Sequence, residues 1–231
     1  MKPIKKFFLI FTSLLLLSSL AAQEEQETEA SEEPKSPFSA DFVLQFEPGI
    51  YINTASTLVS APSPVVYPIS IGFLWPNSGK IAIQPTISFF MMNHLLYEDK
   101  ALPAEIENRT TTTLSFMLNI PAVYSIYLEK SNFQITGGLG VFIRFGLLSP
   151  GVKDGDSGWT GSAGSDVKEI NKYFWGNMRW LYITLGGSWL YNLTPQLRAG
   201  PTINVYMPVG GLISDGSAQA MIISAGIKIC R

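Results

Sequence analysis

Residues 67–89 read YPISIGFLWPNSGKIAIQPTISF. Tyr67, Ile69, Ile71, Phe73 and Trp75 are apolar, while Pro68, Ser70 and Gly72 stand between them. After the turn-forming Pro76-Asn77-Ser78-Gly79, Ile81, Ile83, Pro85, Ile87 and Phe89 alternate with Ala82, Gln84, Thr86 and Ser88. Side chains of a strand alternate between two faces, so this stretch predicts a tight hairpin with one continuously apolar face. The opposite face is small and polar, and almost uncharged.

Working outward, the same period recurs over 42–53, 113–128, 133–145, 181–191, 197–207 and 221–229. With 65–75 and 81–91, that makes eight runs, none with a helical period. About 9–11 tilted residues cross a bilayer as a strand, and these runs have that length. The links alternate as well. Segments 76–79, 129–132 and 192–196 are short, whereas 54–64, 92–110, 149–172 and 208–217 are long. Short turns on one side and long loops on the other predict an eight-stranded antiparallel transmembrane β-barrel, with both termini on the short-turn side. A soluble barrel would turn its apolar face inward and coat its exterior with charge. Faces made of Gly, Ser, Thr, Asn and Gln cannot supply that coat. Trp75, Trp189 and Tyr191 lie at the short-turn ends of the apolar face, and Tyr67, Phe89 and Tyr173 or Trp175 near the other, as two interfacial girdles. Pro48, Pro85 and Pro201 fall on the outward face and predict bulges or bends there.

The composition agrees. Of 231 residues, 46% are hydrophobic and only 15% charged, against about 25% in an average soluble domain. The sequence pI of about 5.5 lacks the basic excess of a nucleic-acid binder. A single Cys allows no internal disulfide and no cysteine-based zinc site.

The N-terminus divides in two. Residues 1–22, MKPIKKFFLIFTSLLLLSSLAA, carry Lys2, Lys5 and Lys6 before an apolar stretch and small residues, the pattern of a cleaved secretory signal. Residues 23–37 hold six Glu and one Lys and read as an acidic disordered periplasmic spacer. Beyond them, 38–231 form the barrel, with 12 acidic and 12 basic residues and hence no net charge.

Signal peptide, eight runs and loop pattern together resemble the small outer-membrane barrels of the OmpW and OmpX type. The resemblance is architectural. It rests on runs such as 67–89 and the closing IISAGIKI (222–229), although the chain ends Ile229-Cys230-Arg231 rather than on a terminal aromatic. It implies an outer-membrane location, contact with outer-membrane lipids and the barrel assembly machinery, and one of two roles. OmpW-like barrels pass small hydrophobic molecules, and OmpX-like ones display loops for adhesion or defence.

Inward positions sort by height. Val66, Phe90, Met92, Met117, Phe142, Trp180, Tyr206 and Ile222 fall near the outer side and predict an apolar upper lumen. Lys80, Glu129, Gln134, Arg198 and Lys228 fall near the periplasmic side and predict a charged floor. Glu47 lies mid-barrel, where a lone carboxylate is costly, so it should meet a basic or amide partner, with Lys228 the nearest cation. Gly138, Gly140, Gly186 and Gly200 should leave room inside. An eight-stranded interior is just wide enough for side chains to fill, which excludes a wide porin. A pocket or narrow conduit for small hydrophobic ligands, leaving sideways into the bilayer, and a plugged barrel that displays its loops both stay open.

Other chemistry is thin. His94, with Glu98 and Asp99 behind it, has no nucleophile at a recognisable spacing and reads as a solvated loop residue, so no enzyme activity is expected. Asp154-Gly155-Asp156-Ser157-Gly158 lacks the third acid and closing Glu of a calcium loop and reads as a surface loop. Cys230 reads as a small buried residue. No cofactor is implied.

Overall fold

The computed structural model describes residues 39–54, 58–215 and 218–231. The signal peptide and the spacer, expected over residues 1–37, lie outside the described residues.

Residues predicted to alternate do form strands, and eight antiparallel staves close on themselves. The first stave is β1 (Asp41–Phe46) with β2 (Gly49–Ile52), the second β3 (Val65–Val66) with β4 (Ile69–Leu74), and the third β5 (Ile81–Ile83) with β6 (Thr86–Tyr97). Then come β8 (Thr111–Tyr127), β9 (Ser131–Leu148), β10 (Leu181–Thr194), β11 (Leu197–Pro208) and β12 (Met221–Cys230). Each pairs with its sequence neighbour, and β12 returns to β1 with Val43 opposite Cys230 and Phe46 opposite Ile227. Closure leaves no sheet edge and satisfies the backbone within the wall, as a membrane-spanning strand requires.

Every stave exposes alternate apolar residues. Ile69, Ile71 and Phe73 are exposed on β4 while Ser70, Gly72 and Leu74 are buried. Ile135, Leu139 and Phe145 on β9 and Ile203 on β11 continue the outward band. So wide an apolar exterior suits lipid, not water. The chain is an eight-stranded transmembrane β-barrel.

Three staves are divided at a proline. Pro48, Pro68 and Pro85 interrupt the first, second and third, yet the pairing register runs straight through: Phe46 faces Ile227 and Gly49 faces Ser224. The expected bulges are therefore absent, and Pro201 continues within β11. The carbonyls still accept, as Glu47 N–H donates to Pro68 (3.1 Å), Phe73 to Pro85 (3.1 Å), Gln84 to Pro121 (2.9 Å) and Ala225 to Pro48 (3.0 Å). Only the return donors are lost, because proline has no N–H. A register shift occurs instead in the β10–β11 hairpin, between Asn192 and Thr194.

Among the described residues, the long-loop side carries regular structure. β6 runs on past the wall into a hairpin with β7 (Lys100–Pro103), turned by Glu98 and Asp99, both at positive φ (47° and 58°). Two left-handed residues make the turn whose twist matches that of its strands. The third long loop holds a helix, α1 (Ala163–Trp175), where only loop was expected. Ser162 caps it by accepting from Ser165 N–H (3.2 Å). Ile170 and Phe174 bury one face against Leu96 and Ala101.

Candidate functional site: the barrel interior and its outer cap

The inward side chains form three layers. Nearest the short turns, Val43, Leu74, Ala82, Val123, Leu190 and Cys230 pack into an apolar floor. This corrects the expected charged floor. Lys80 and Glu129 are exposed in the turns, where long charged chains reach water rather than turn inward. Arg198 stays at the rim, paired with Asp41 of β1. Lys228 lies higher.

The middle layer is polar. Lys228 is fully buried and donates to Gln84 and to Gln134, the latter at 2.6 Å. Glu47, also buried, accepts from Asn204 and from the Tyr206 hydroxyl (3.1 Å), with Gln45 at 3.5 Å. Its partners are thus an amide and a phenol of β11, while Lys228 acts on it only as a nearby charge. Ser70–Ser88 (2.7 Å), Ser188–Thr202 (2.9 Å) and Thr184–Asn119 (3.0 Å) complete the layer. Buried polar groups are tolerable where they satisfy each other in this way.

Above it lies an apolar cluster of Tyr51, Val66, Phe90, Met92, Met117, Phe142, Tyr182, Tyr206 and Ile222. Seven of the upper-lumen positions expected from the sequence fall in it. Trp180 does not. It lies in the turn before β10, half-buried, and its carbonyl accepts from Phe142 N–H (2.7 Å). Tyr51 and Tyr182 take up the space instead. Both occupy inward positions of alternating runs, so the signal that would have found them is the period itself. Phe142 packs against Phe90 (5.5 Å between centroids) and edge-on against Tyr182 (5.2 Å).

The cap closes the mouth. His94 is buried on β6 rather than solvated, with Nδ1 at 2.8 Å from Thr113 Oγ1 and its ring edge-on to Phe174 (5.1 Å). Asn171 of α1 grips one residue of β9: its Oδ1 accepts from Gly146 N–H (2.8 Å) and its Nδ2 donates to Gly146 C=O (2.9 Å). Asp166 takes N–H bonds from Trp159 (3.0 Å) and Thr160 (2.9 Å), folding the preceding loop onto the helix. In the 154–158 segment, Asp156 accepts from Lys153 N–H (2.7 Å), and no metal-holding group of acids, His and Cys occurs among the described residues.

Nor do the glycines leave space. A methyl at Gly200 would sit 1.9 Å from Trp189 O, one at Gly186 1.8 Å from Asn204 Oδ1, and one at Gly138 2.4 Å from Pro121 Cα. They mark close approach, and only Gly140 would have ordinary contacts, at 3.4 Å. Of the small spaces among the described residues, one lies in the polar layer beside Gln45, Asn119 and Thr136 and another at the mouth beside Tyr51 and Arg144. Each has room for about a single water molecule.

No protein-family profile matches the chain, and no curated protein matches it in sequence. Among solved structures it is similar to Neisserial surface protein A, with 10% identity and a TM-score of 0.45 over 82% of this chain and 96% of that one. It is similar also to Ail, the attachment invasion locus protein of Yersinia pestis (7% identity, TM-score 0.43, 83% and 95% covered). The outer membrane protein AlkL is a third (10%, 0.35, 89% and 93%). The fold itself rests on the barrel's own strand pairing.

Proposed function

We propose that this protein is a closed outer-membrane barrel that serves as an anchor, and that its ordered outer cap carries its function through contacts with molecules outside the cell. The filled interior supports this reading. Floor, polar layer and upper cluster succeed one another, and the spaces beside Gln45 and Tyr51 each hold about one water, which speaks against a path for solute or hydrophobic ligand. The cap has the features of a presenting surface. Trp159 and Trp175 are exposed on and beside α1, and Ile106 and Ile213 on neighbouring loops. Exposed apolar side chains on a rigid support suit partner contact.

Reconstitution tests the reading. Planar bilayers containing the protein should show no conductance steps, and liposomes should take up a hydrophobic dye no faster than lipid alone. Uptake above that background which falls in Phe142→Asp would favour the pocket or conduit instead. Cells bearing the barrel should lose binding to foreign surfaces when residues 153–176 are replaced by a short Gly-Ser link, with the barrel still folded.

A further inference from the structure

His94 lies beyond the lipid-facing band, where β6 enters the cap. It stands opposite Thr111 of β8 and Pro103 of β7, and its outward neighbours Asn93 and Thr112 bond each other (3.2 Å). The residue is only 1% exposed. Its Nδ1 meets Thr113 Oγ1 (2.8 Å), its ring meets Phe174 of α1 edge-on, and its Nε2 has no hydrogen-bond partner. A neutral imidazole can keep one nitrogen on Thr113 and leave the other idle. An imidazolium carries a hydrogen on both nitrogens, and here the Nε2–H would be a charged donor without an acceptor.

Nothing around the ring compensates a proton. Arg144 of β9 is the charge that acts on it, and that guanidinium lies between Phe142 and Phe174, 4.6 and 4.2 Å from their centroids. Phe174 therefore packs against both groups, and a protonated His94 would set a second cation on one buried ring. The other elements bring no counter-charge. β8 has no charged residue, Lys100 of β7 is a further cation, and Glu98 and Asp99 are exposed in the hairpin turn. On α1, Asp166 is engaged by Trp159 and Thr160, Lys172 pairs with Glu169, and Lys168 is exposed. Tyr173, whose ring lies 6.4 Å from that of Phe174, is a phenol and carries no charge in mild acid. Burial and then Arg144 push the docked imidazole from 6.5 down to about 3.

Backbone ladders tie β6 to β7 and β8, so the element free to yield is α1, which meets the barrel through side chains. Those are Asn171 on Gly146, and Ile170 and Phe174 against Leu96 and Ala101. We propose that His94 is an acid-sensitive latch for the cap: on taking a proton it releases Phe174, and with it α1, from the barrel mouth. In water the imidazole and the Arg144 guanidinium would both be hydrated. A solvated imidazole takes its proton near pH 6.5, so docking keeps its full strength above that pH and weakens with each unit below it, down to about pH 3. The latch concerns how the cap sits on the barrel and not what the cap contacts.

Hydrogen exchange of the full barrel in lipid vesicles tests this, with protection of the 163–175 amides expressed at each pH against the rate for unstructured peptide. Between pH 7.5 and 5.0 that protection should fall about 30-fold, the full effect of one imidazole protonated only in the open cap. Amides of β8 and β9 at mid-wall should keep theirs. In His94→Gln, which stays neutral and can still bond Thr113, cap protection should be the same at both pH values. Where His94→Gln does not fold, NMR titration of the His94 ring carries the test: its protonation should coincide with the loss of cap protection. Unchanged protection at pH 5.0, an equal fall in His94→Gln, loss throughout the wall, or a ring that takes its proton while the cap stays protected would each overturn the proposal. These outcomes read cap docking alone and leave the closed-anchor reading to the conductance and cell-binding measurements.

Discussion

Lys228 on β12 donates to Gln134 on β9 across the interior, 2.6 Å from Nζ to Oε1, and the same ammonium reaches Gln84 between β5 and β6. One side chain thus ties three non-adjacent staves, while Glu47 of the first stave reaches over β12 to Asn204 and Tyr206 on β11. Backbone ladders join only neighbours, so these cross-lumen bonds resist ovalisation of the wall and fill the space a channel would need. Lys228→Met should cost about 2–3 kcal/mol in urea unfolding from lipid vesicles, because two amide oxygens lose a charged donor and Glu47 loses the nearby cation of its layer. Adding Glu47→Gln should restore part of that loss, a non-additivity expected only of residues in one network.

Glu47 itself discriminates between charge and space. Glu47→Leu removes an acceptor from Asn204 and Tyr206, whereas Glu47→Lys places a second cation in the layer that already holds Lys228. The lysine variant should be the less stable by about 1–2 kcal/mol in the same measurement. Equal stabilities would mean that water, not protein, solvates this position.

At the short-turn rim, the Asp41–Arg198 pair joins the first stave to β11 with side chains 16% and 14% exposed. Asp41→Asn should lower stability by about 1 kcal/mol at low salt and by less at 1 M salt, as screening weakens a pair still reached by water. A salt-independent loss would assign the effect to packing.

Alternation made the staves, the lipid face and most of the upper cluster legible, since period two assigns each residue a side whatever its partners. Height was harder. Lys80 lies two residues before the buried Ala82 and Glu129 four residues after the buried Ser125, and there a charged chain swings to water. The floor at Val43, Leu74 and Leu190 was obscured by those same charges. Trp180 has the parity of an inward residue but precedes β10, so parity no longer applies to it. Helix α1 did leave marks, in Ser162 as a cap and Ile170 and Phe174 four apart, yet the Gly-, Ser- and Asp-rich 151–166 reads as loop. Arg144 alternates with apolar inward residues, and nothing in the sequence shows which rings would enclose it.

Asn171 makes the cap separable from the wall. Its amide replaces a strand partner for Gly146, so Asn171→Ala removes three hydrogen bonds, two to Gly146 and one to the Val167 carbonyl (2.9 Å), without touching the barrel ladders. Amides of 163–175 should then exchange with solvent about tenfold faster or more, while those of β8 and β9 at mid-wall stay protected. Accelerated exchange throughout the barrel would show that cap and wall unfold as one.

The glycines give the last contrast. Gly200 and Gly140 both read as small interior residues of a strand, but their surroundings differ. A methyl at Gly200 would meet the Trp189 carbonyl at 1.9 Å, backbone that cannot turn aside, while one at Gly140 would meet the Met117 thioether, the Asn119 amide and the Leu118 carbonyl, none nearer than 3.4 Å. Gly200→Ala must therefore spread the β10–β11 pair, which its ladder resists, and should lose about 1–3 kcal/mol. Gly140→Ala should change stability by less than about 0.5 kcal/mol, the neighbouring side chains giving slightly and the strand losing unfolded-state freedom. Heat-modifiable gel migration with urea titration measures both. Matching losses would mean that the interior is too tight to accept a methyl anywhere, and matching tolerance would mean that β10 and β11 can part.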